Sequence, residues 1–233
     1  MQHPSTALVT GAAGNLGRAV AKAFGERGAN LVLLGHRREA LVSAFGNEDA
    51  QRMFAPADLL DQRKVDAVVR VAIERFGRID VLCNIAGGFR MGTPVHATSD
   101  DDWNFMFDVN VRTLLNCVRA VVPHMIEAGG GKIVNVGAAS AQRGAANMGA
   151  YCAAKSAVIR ITESMAAELR DKNVNVNCVL PTTIDTPENR AAMPGADPAR
   201  WVAPEDLARV IVFLASPDSG AIHGAAISVP ALS

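Results

Sequence analysis

Apolar residues along this chain fall into short continuous runs, separated by longer stretches where they recur every three or four positions. The runs are 7–10, 30–34, 52–55, 79–84, 132–137, 174–180 and 225–229. Each is of strand length and shows little polar alternation, so each predicts a strand covered on both faces. The stretches between them, 17–27, 38–45, 63–76, 100–125, 148–170 and 204–215, predict helices. The helix over 100–125 is expected to break near Asp108, and 181–201, with Pro181, Pro187, Pro194 and Pro198, reads as irregular. Strands alternating with helices define an α/β fold: a doubly wound parallel sheet of about seven strands with helices on both faces. No internal repeat, linker or low-complexity segment interrupts the sequence, which reads as a single domain over 1–233.

Composition narrows the partners. A chain of this length buries roughly 70–75% of its unfolded surface, enough for a substantial core. The 23 Lys and Arg balance 23 Asp and Glu, and no basic stripe or charge run occurs. Neither nucleic acid nor a membrane surface is therefore an expected partner. No apolar run reaches transmembrane length, and the N-terminus runs directly into a strand without a cationic leader, so a cytoplasmic location is expected. Cys83, Cys117, Cys152 and Cys178 lie inside apolar segments without metal-ligand spacing. They predict buried free thiols in a reducing compartment and no metal site. His96, His124 and His223 show no ligand spacing and read as non-catalytic.

Three stretches carry candidate chemistry. Residues 10–17, TGAAGNLG, follow the first strand and open the first helix. Glycines there let the turn close and bring backbone N–H groups toward a pyrophosphate at a helix N-terminus, the context of a dinucleotide site. Gly11, Asn15, Leu16 and Gly17 are the expected contacts. The second strand ends in Gly35-His36-Arg37-Arg38, with no acid to bind a ribose 2′-hydroxyl. Basic residues accommodate a 2′-phosphate, so His36 and Arg37 point to NADP, with NAD possible. Finally, Tyr151, the chain's single tyrosine, precedes Lys155 by one helical turn, on the same face. An ammonium beside a phenol favours phenolate, so Tyr151 is expected to have a depressed pKa and to act as a general acid or base.

TGAAGNLG (10–17), PADL (56–59), CNIAGG (83–88), the Asn110 helix, YCAAK (151–155) and PTTIDT (181–186) occur in one order, and through them the chain resembles the short-chain dehydrogenase/reductase family over nearly its whole length. The resemblance implies a Rossmann-type sheet and an NAD(P)(H)-dependent oxidoreductase. Such an enzyme couples hydride transfer to Tyr/Lys proton transfer on a small carbonyl, hydroxyl or quinonoid substrate. It also implies residue roles. Asp58 and Leu59 would contact adenine, and Asn84, Ala86 and Gly87 would line the ribose and phosphates. Pro181, Ile184 and Thr186 would hold the carboxamide, and Lys155 would bind the nicotinamide ribose and tune Tyr151. Asn110 would hold a helix kink and a proton-relay water. In this family the helices matching 111–125 and 150–170 usually pair subunits, implying a homodimer or homotetramer.

The chain departs from the family pattern at three positions. Asn15 stands where Gly is usual, and Ile85 replaces the second Asn of NNAG. Ala138 occupies the usual serine position, 13 residues before Tyr151. Ser140 is the nearest hydroxyl; along an extended chain it would lie roughly 6–7 Å further on. These departures, with the segment DTPENRAAMPGADPARW (185–201) and the tail ISVPALS, are similar to the dihydropteridine reductase branch. Residues 187–201 are expected to form a substrate lid, with Phe89, Met148, Met193 and Trp201 as walls. A site lacking one donor best suits an already electrophilic acceptor, such as a quinone or quinonoid pterin. The competing reading from Ala138 is a non-catalytic NAD(P)-binding sensor or scaffold.

Overall fold

A computed structural model describes residues 5–232. Its strands are β1 (Thr6–Thr10), β2 (Asn30–Gly35), β3 (Arg52–Pro56), β4 (Val81–Asn84), β5 (Gly131–Val136), β6 (Val174–Pro181) and β7 (Ala226–Val229). All pair in parallel, in the order β3-β2-β1-β4-β5-β6-β7. The chain starts at the centre, winds outward through β2 and β3, then returns to add β4 to β7 on the other side. This is the Rossmann-type sheet expected from the sequence. The order reverses between β1 and β4, and a crevice opens there beyond the carboxyl ends of the strands.

The helices are α1 (Asn15–Gly25), α2 (Arg38–Phe45), α3 (Gln62–Phe76), α4 (Asp100–Phe107), α5 (Thr113–Glu127), α6 (Gly149–Leu169), α7 (Pro187–Ala192) and α8 (Pro204–Leu214). Strand residues alternate between two cores. Leu8, Val32, Leu82 and Ile133 pack with α3, α5 and α6, whereas Val9, Leu33, Cys83 and Val134 pack with α1 and α8. Burial on both faces explains the unbroken apolar runs.

Two expectations change. The break near Asp108 is a π-helical turn, Asp108–Arg112, joining α4 to α5. The segment 181–201 is not wholly irregular: Pro187 begins α7 and Pro198 begins the 3₁₀ turn Pro198–Arg200. Proline suits the first helical position because its missing N–H has no intrahelical partner there. Thr186 caps α7 by accepting from Asn189 N at 3.1 Å.

Candidate active site

The glycine turn and the ends of β2 and β4 form an open groove of about 450 Å³ at the crevice. Gly11, Asn15, Leu16 and Gly17 line one wall, His36 and Arg37 the end of β2, Ala86 and Gly87 the loop after β4, and Ile184 and Thr186 the far side. The turn is held close: a Cβ on Gly17 would lie 2.2 Å from the Gly11 carbonyl oxygen, so only glycine fits. Thr10 ties the two loops together. Its Oγ1 donates to Cys83 O and accepts from Ile85 N at 2.9 Å and Ala86 N at 3.0 Å. The sequence reading passed over this threonine; its signal is a hydroxyl on the last residue of a strand, immediately before a glycine turn.

The residues present fit a dinucleotide. Gly14, the N-cap of α1, has no side-chain cap bond, so the helix end is left to an outside acceptor. A Cβ on Gly35 would meet Leu41 side-chain atoms at 3.0 and 3.2 Å, so an acid at that position would crowd α2. Exposed His36 and Arg37 stand in its place.

Gly87, on the groove wall, lies against two of the candidate proton-transfer residues, Asn110 and Lys155. Asn110 lies inside the π-helical turn, where its Nδ2 donates to Met106 O at 2.9 Å and Gly88 O at 3.0 Å. Its Oδ1 accepts from Gly88 N at 3.2 Å. A Cβ on Gly87 would fall 2.8 Å from Asn110 Oδ1 and 3.3 Å from Lys155 Nζ, a measure of how closely these three residues converge. Lys155 is buried on α6 and donates to Val136 O at 2.9 Å. Tyr151 lies one turn earlier, and the Phe89 ring sits edge-on to it, with centroids 4.8 Å apart.

The expected depression of the Tyr151 pKa is not found in this structure. Burial pushes the phenol up to about 12, and neighbouring Cys152 adds to the shift. Burial also pulls Lys155 down to about 8, against an opposing effect of Cys178. Sharing a helix face does not put the two groups in contact, and a backbone carbonyl takes the ammonium instead. Burial then disfavours both charged forms.

Other expected contacts lie off the groove walls. Asp58 accepts from Leu60 N at 2.9 Å within its own turn, and Leu59 packs against the core while its carbonyl accepts from Asn116. Pro181 is buried at the end of β6. Asn84 is buried in the sheet, opposite its register partner Asn135, and donates to Asn135 Oδ1 at 2.9 Å. Asn135 in turn donates to Thr162 Oγ1 at 2.9 Å. Asn84 Oδ1 is buried without a partner among the described residues. This chain was also missed; its signal is an Asn within each of two adjacent apolar runs. Of the four expected wall residues, Phe89 makes the ring contact with Tyr151, while Met193, just beyond α7, is 38% exposed. Ala138 is buried and extended, and Ala139–Ala141 form a 3₁₀ turn, so Ser140 does not continue along an extended chain.

The remaining residues read as structural. All four cysteines are free and buried. His223 is held between Val176 N and Ala166 O. Among the described residues no group of His, Cys, Asp or Glu could hold a metal, and no helix is long and apolar enough to cross a membrane.

A dinucleotide groove at the switch point of a parallel sheet, leading to a tyrosine, a buried lysine and an asparagine at a helix kink, defines an NAD(P)-dependent oxidoreductase. The model of the short chain dehydrogenase family matches residues 5–196. The chain belongs to this family. It is 34% identical over 234 residues to the (2S)-[(R)-hydroxy(phenyl)methyl]succinyl-CoA dehydrogenase subunit BbsD of Thauera aromatica, covering 96% of this chain and 94% of that protein. Its fold is similar to that of NAD⁺-bound xylitol dehydrogenase, with a TM-score of 0.89, 28% identity and coverage of 99% and 100% of the two chains. It is also similar to ElxO with NADP bound, with a TM-score of 0.90, 25% identity and coverage of 97% of each chain. Family membership favours an enzyme over a sensor without turnover, and a nicotinamide cofactor is common ground.

Proposed function

We propose that this protein transfers hydride between NADP(H) and a small carbonyl, hydroxyl or quinonoid substrate, with Tyr151 moving the proton. The observation that carries this reading is the convergence of Lys155 and Asn110 on Gly87, a wall residue of the groove built by the glycine turn, with Tyr151 one helical turn before Lys155 on α6. The nicotinamide cofactor, when bound, supplies or accepts the hydride. In the reducing direction Tyr151 begins protonated, as burial favours, and its O–H donates to the substrate oxygen. Lys155 would hold the nicotinamide ribose, and its charge would stabilise the developing phenolate. Asn110 fixes the loop at Gly88 and keeps the π-helical turn open toward Lys155.

Several features support finer assignments. His36 and Arg37 on the groove favour the 2′-phosphate of NADP; Asp58 and Leu59, just beyond β3 and off the groove walls, are the residues proposed to meet the adenine. Phe89 and the buried Ala138 leave an apolar approach to Tyr151, with no serine hydroxyl at position 138. An acceptor that is already electrophilic needs the absent donor least. Copies of the chain pair through α5 and α6, where Leu115, Val122 and Ile161 are only part-buried and Ile126 is exposed.

The test is a panel of quinones, pterins and simple ketones, followed by NADPH absorbance, together with fluorescence titration of NADPH and NADH. Turnover of at least one acceptor and tighter NADPH binding are expected. His36→Asp should move the preference toward NADH by supplying a 2′-hydroxyl acceptor without crowding Leu41. Binding without turnover of any acceptor refutes the enzyme reading, and equal or tighter NADH binding refutes the NADP assignment.

A further inference from the structure

Under α6 the sheet carries a row of polar side chains that the proposed reaction does not use. Asn84 on β4, Asn135 on β5 and Cys178 on β6 are register partners across three strands. Each is at most 5% exposed. The row reaches α6 at Thr162, which lies two turns after Lys155 on the same helix face. The Thr162 hydroxyl has one proton and gives it to Val158 O at 2.8 Å. It can therefore only accept from Asn135, whose Nδ2 stands 2.9 Å away. This turns Asn135 Oδ1 toward Asn84 Nδ2, also at 2.9 Å. The direction of every bond in the chain is set from α6.

One residue beyond Asn135, Val136 O accepts from Lys155 at 2.9 Å. Consecutive residues of β5 therefore hold two points on one face of α6, Thr162 and Lys155. A single tie would let the helix turn or slide about it, and two ties fix both. The Cys178 thiol borders Thr162 and Lys155 alike. At the far end of the row, Asn84 Oδ1 is buried without a partner among the described residues. A buried polar chain that ends on an unpaired acceptor costs free energy that an apolar row of the same shape would not, so stability does not account for it. We propose that Asn135 and Thr162 are positioning residues for Lys155: they hold α6 at the rotation and height that put Nζ on Val136 O and against Gly87 at the groove wall. The inference rests on the reading of Lys155 as the residue that meets the nicotinamide ribose.

The test follows Lys155 itself. A lysine Cε NMR titration of the cofactor-free protein reads its ammonium. Calorimetry reads the binding of NADPH and of 2′,5′-ADP, a fragment that lacks the nicotinamide ribose. Thr162→Val keeps the shape of the side chain and removes the hydroxyl, Thr162→Ser keeps the hydroxyl, and Asn135→Ala cuts the chain at β5. In the parent, burial holds the Lys155 midpoint down at about 8, against the opposing effect of Cys178. Thr162→Val and Asn135→Ala should let the ammonium reach water, so its midpoint rises toward the ordinary lysine value. NADPH should then bind about three- to tenfold more weakly, the range for one hydrogen bond, while 2′,5′-ADP binds as to the parent. Thr162→Ser should match the parent throughout, and Thr162→Val decides the matter if Asn135→Ala does not fold. An unmoved Lys155 midpoint in Thr162→Val overturns the proposal, and so does a shift as large in Thr162→Ser. Equal losses for NADPH and 2′,5′-ADP also overturn it, because they mark a generally loosened fold. A moved midpoint with unchanged NADPH binding leaves the positioning standing and removes Lys155 from the ribose instead.

Discussion

The face of the sheet under α1, α2 and α8 is held almost entirely by aliphatic contacts among residues such as Val9, Val20, Leu33, Leu41, Leu207 and Ile211. Among its buried polar groups, Asn177 is tied to Ile222 O and Ala225 N, away from the groove. The opposite face, under α3 to α6, has its own apolar core but also encloses Asn84, Asn110, Asn135, Lys155 and Thr162. Burying polar groups costs free energy unless they are hydrogen-bonded, and most of these are bonded to one another or to backbone. One face is therefore aliphatic up to the groove walls at its carboxyl edge, and the other gives up some stability to hold a lysine and an asparagine in fixed positions. Tyr151 and Lys155, the residues proposed for proton transfer, sit on the costly face because α6 packs there, with Lys155 bonded to Val136 O at the carboxyl end of β5.

The comparison breaks most sharply at Tyr151. Tyr151→Phe keeps the ring packed against Phe89 and removes the proton, so turnover should fall about 10²–10⁴-fold while NADPH binding and thermal stability stay near those of the parent. Steady-state kinetics beside a melting curve checks both halves. Activity within a few fold of the parent would mean that the proton comes from another group. On the other face the pattern should invert. Leu33 is fully buried, and Leu33→Ala should cost about 2–5 kcal/mol of stability with little change in kcat per folded molecule. Denaturant unfolding and active-site titration separate the two quantities.

The next effect is electrostatic, and a single tyrosine makes it readable by ultraviolet titration. Without cofactor, tyrosinate should form only toward pH 12. The raised pKa contributes stability below the ordinary tyrosine value, about 10, and that contribution is lost as pH rises through the folded value. Lys155 acts in the opposite sense: with its pKa near 8, the buried ammonium costs stability at low pH and the cost is relieved as pH rises above that value. Saturating with oxidised cofactor places a positive charge beside the phenol and should lower the tyrosinate midpoint by about 1–3 units. Identical midpoints with and without cofactor would remove charge tuning from the mechanism. The smallest effects belong to the missing serine. Ser140 lies in a 3₁₀ turn rather than on an extension of β5, so Ser140→Ala should leave turnover nearly unchanged. Ala138→Ser should raise activity on simple ketones severalfold. Assaying both variants on one active acceptor and one ketone decides the matter, and a hundredfold loss in Ser140→Ala would place Ser140 in the site.

Periodicity alone was enough to define the seven strands, most of the helices between them (α7 excepted) and the parallel, doubly wound class, because strands buried on both faces need continuous apolar runs whatever their neighbours are. The glycine turn was legible for a similar reason: position 17 cannot carry a Cβ without striking Gly11 O. The break near Asp108 was visible in the sequence, but its π-helical form depends on the hydrogen bonds Asn110 makes to Gly88, 22 residues away. Tyr151 and Lys155 could be paired by helical spacing, yet their protonation could not be read from spacing. Burial and the Val136 carbonyl act through tertiary packing, and they reversed the expected shift of the phenol. The same holds for Thr10 and the Asn84–Asn135–Thr162 chain. Each joins residues distant in sequence, and hydrogen bonds of that kind are set by where the strands and loops meet.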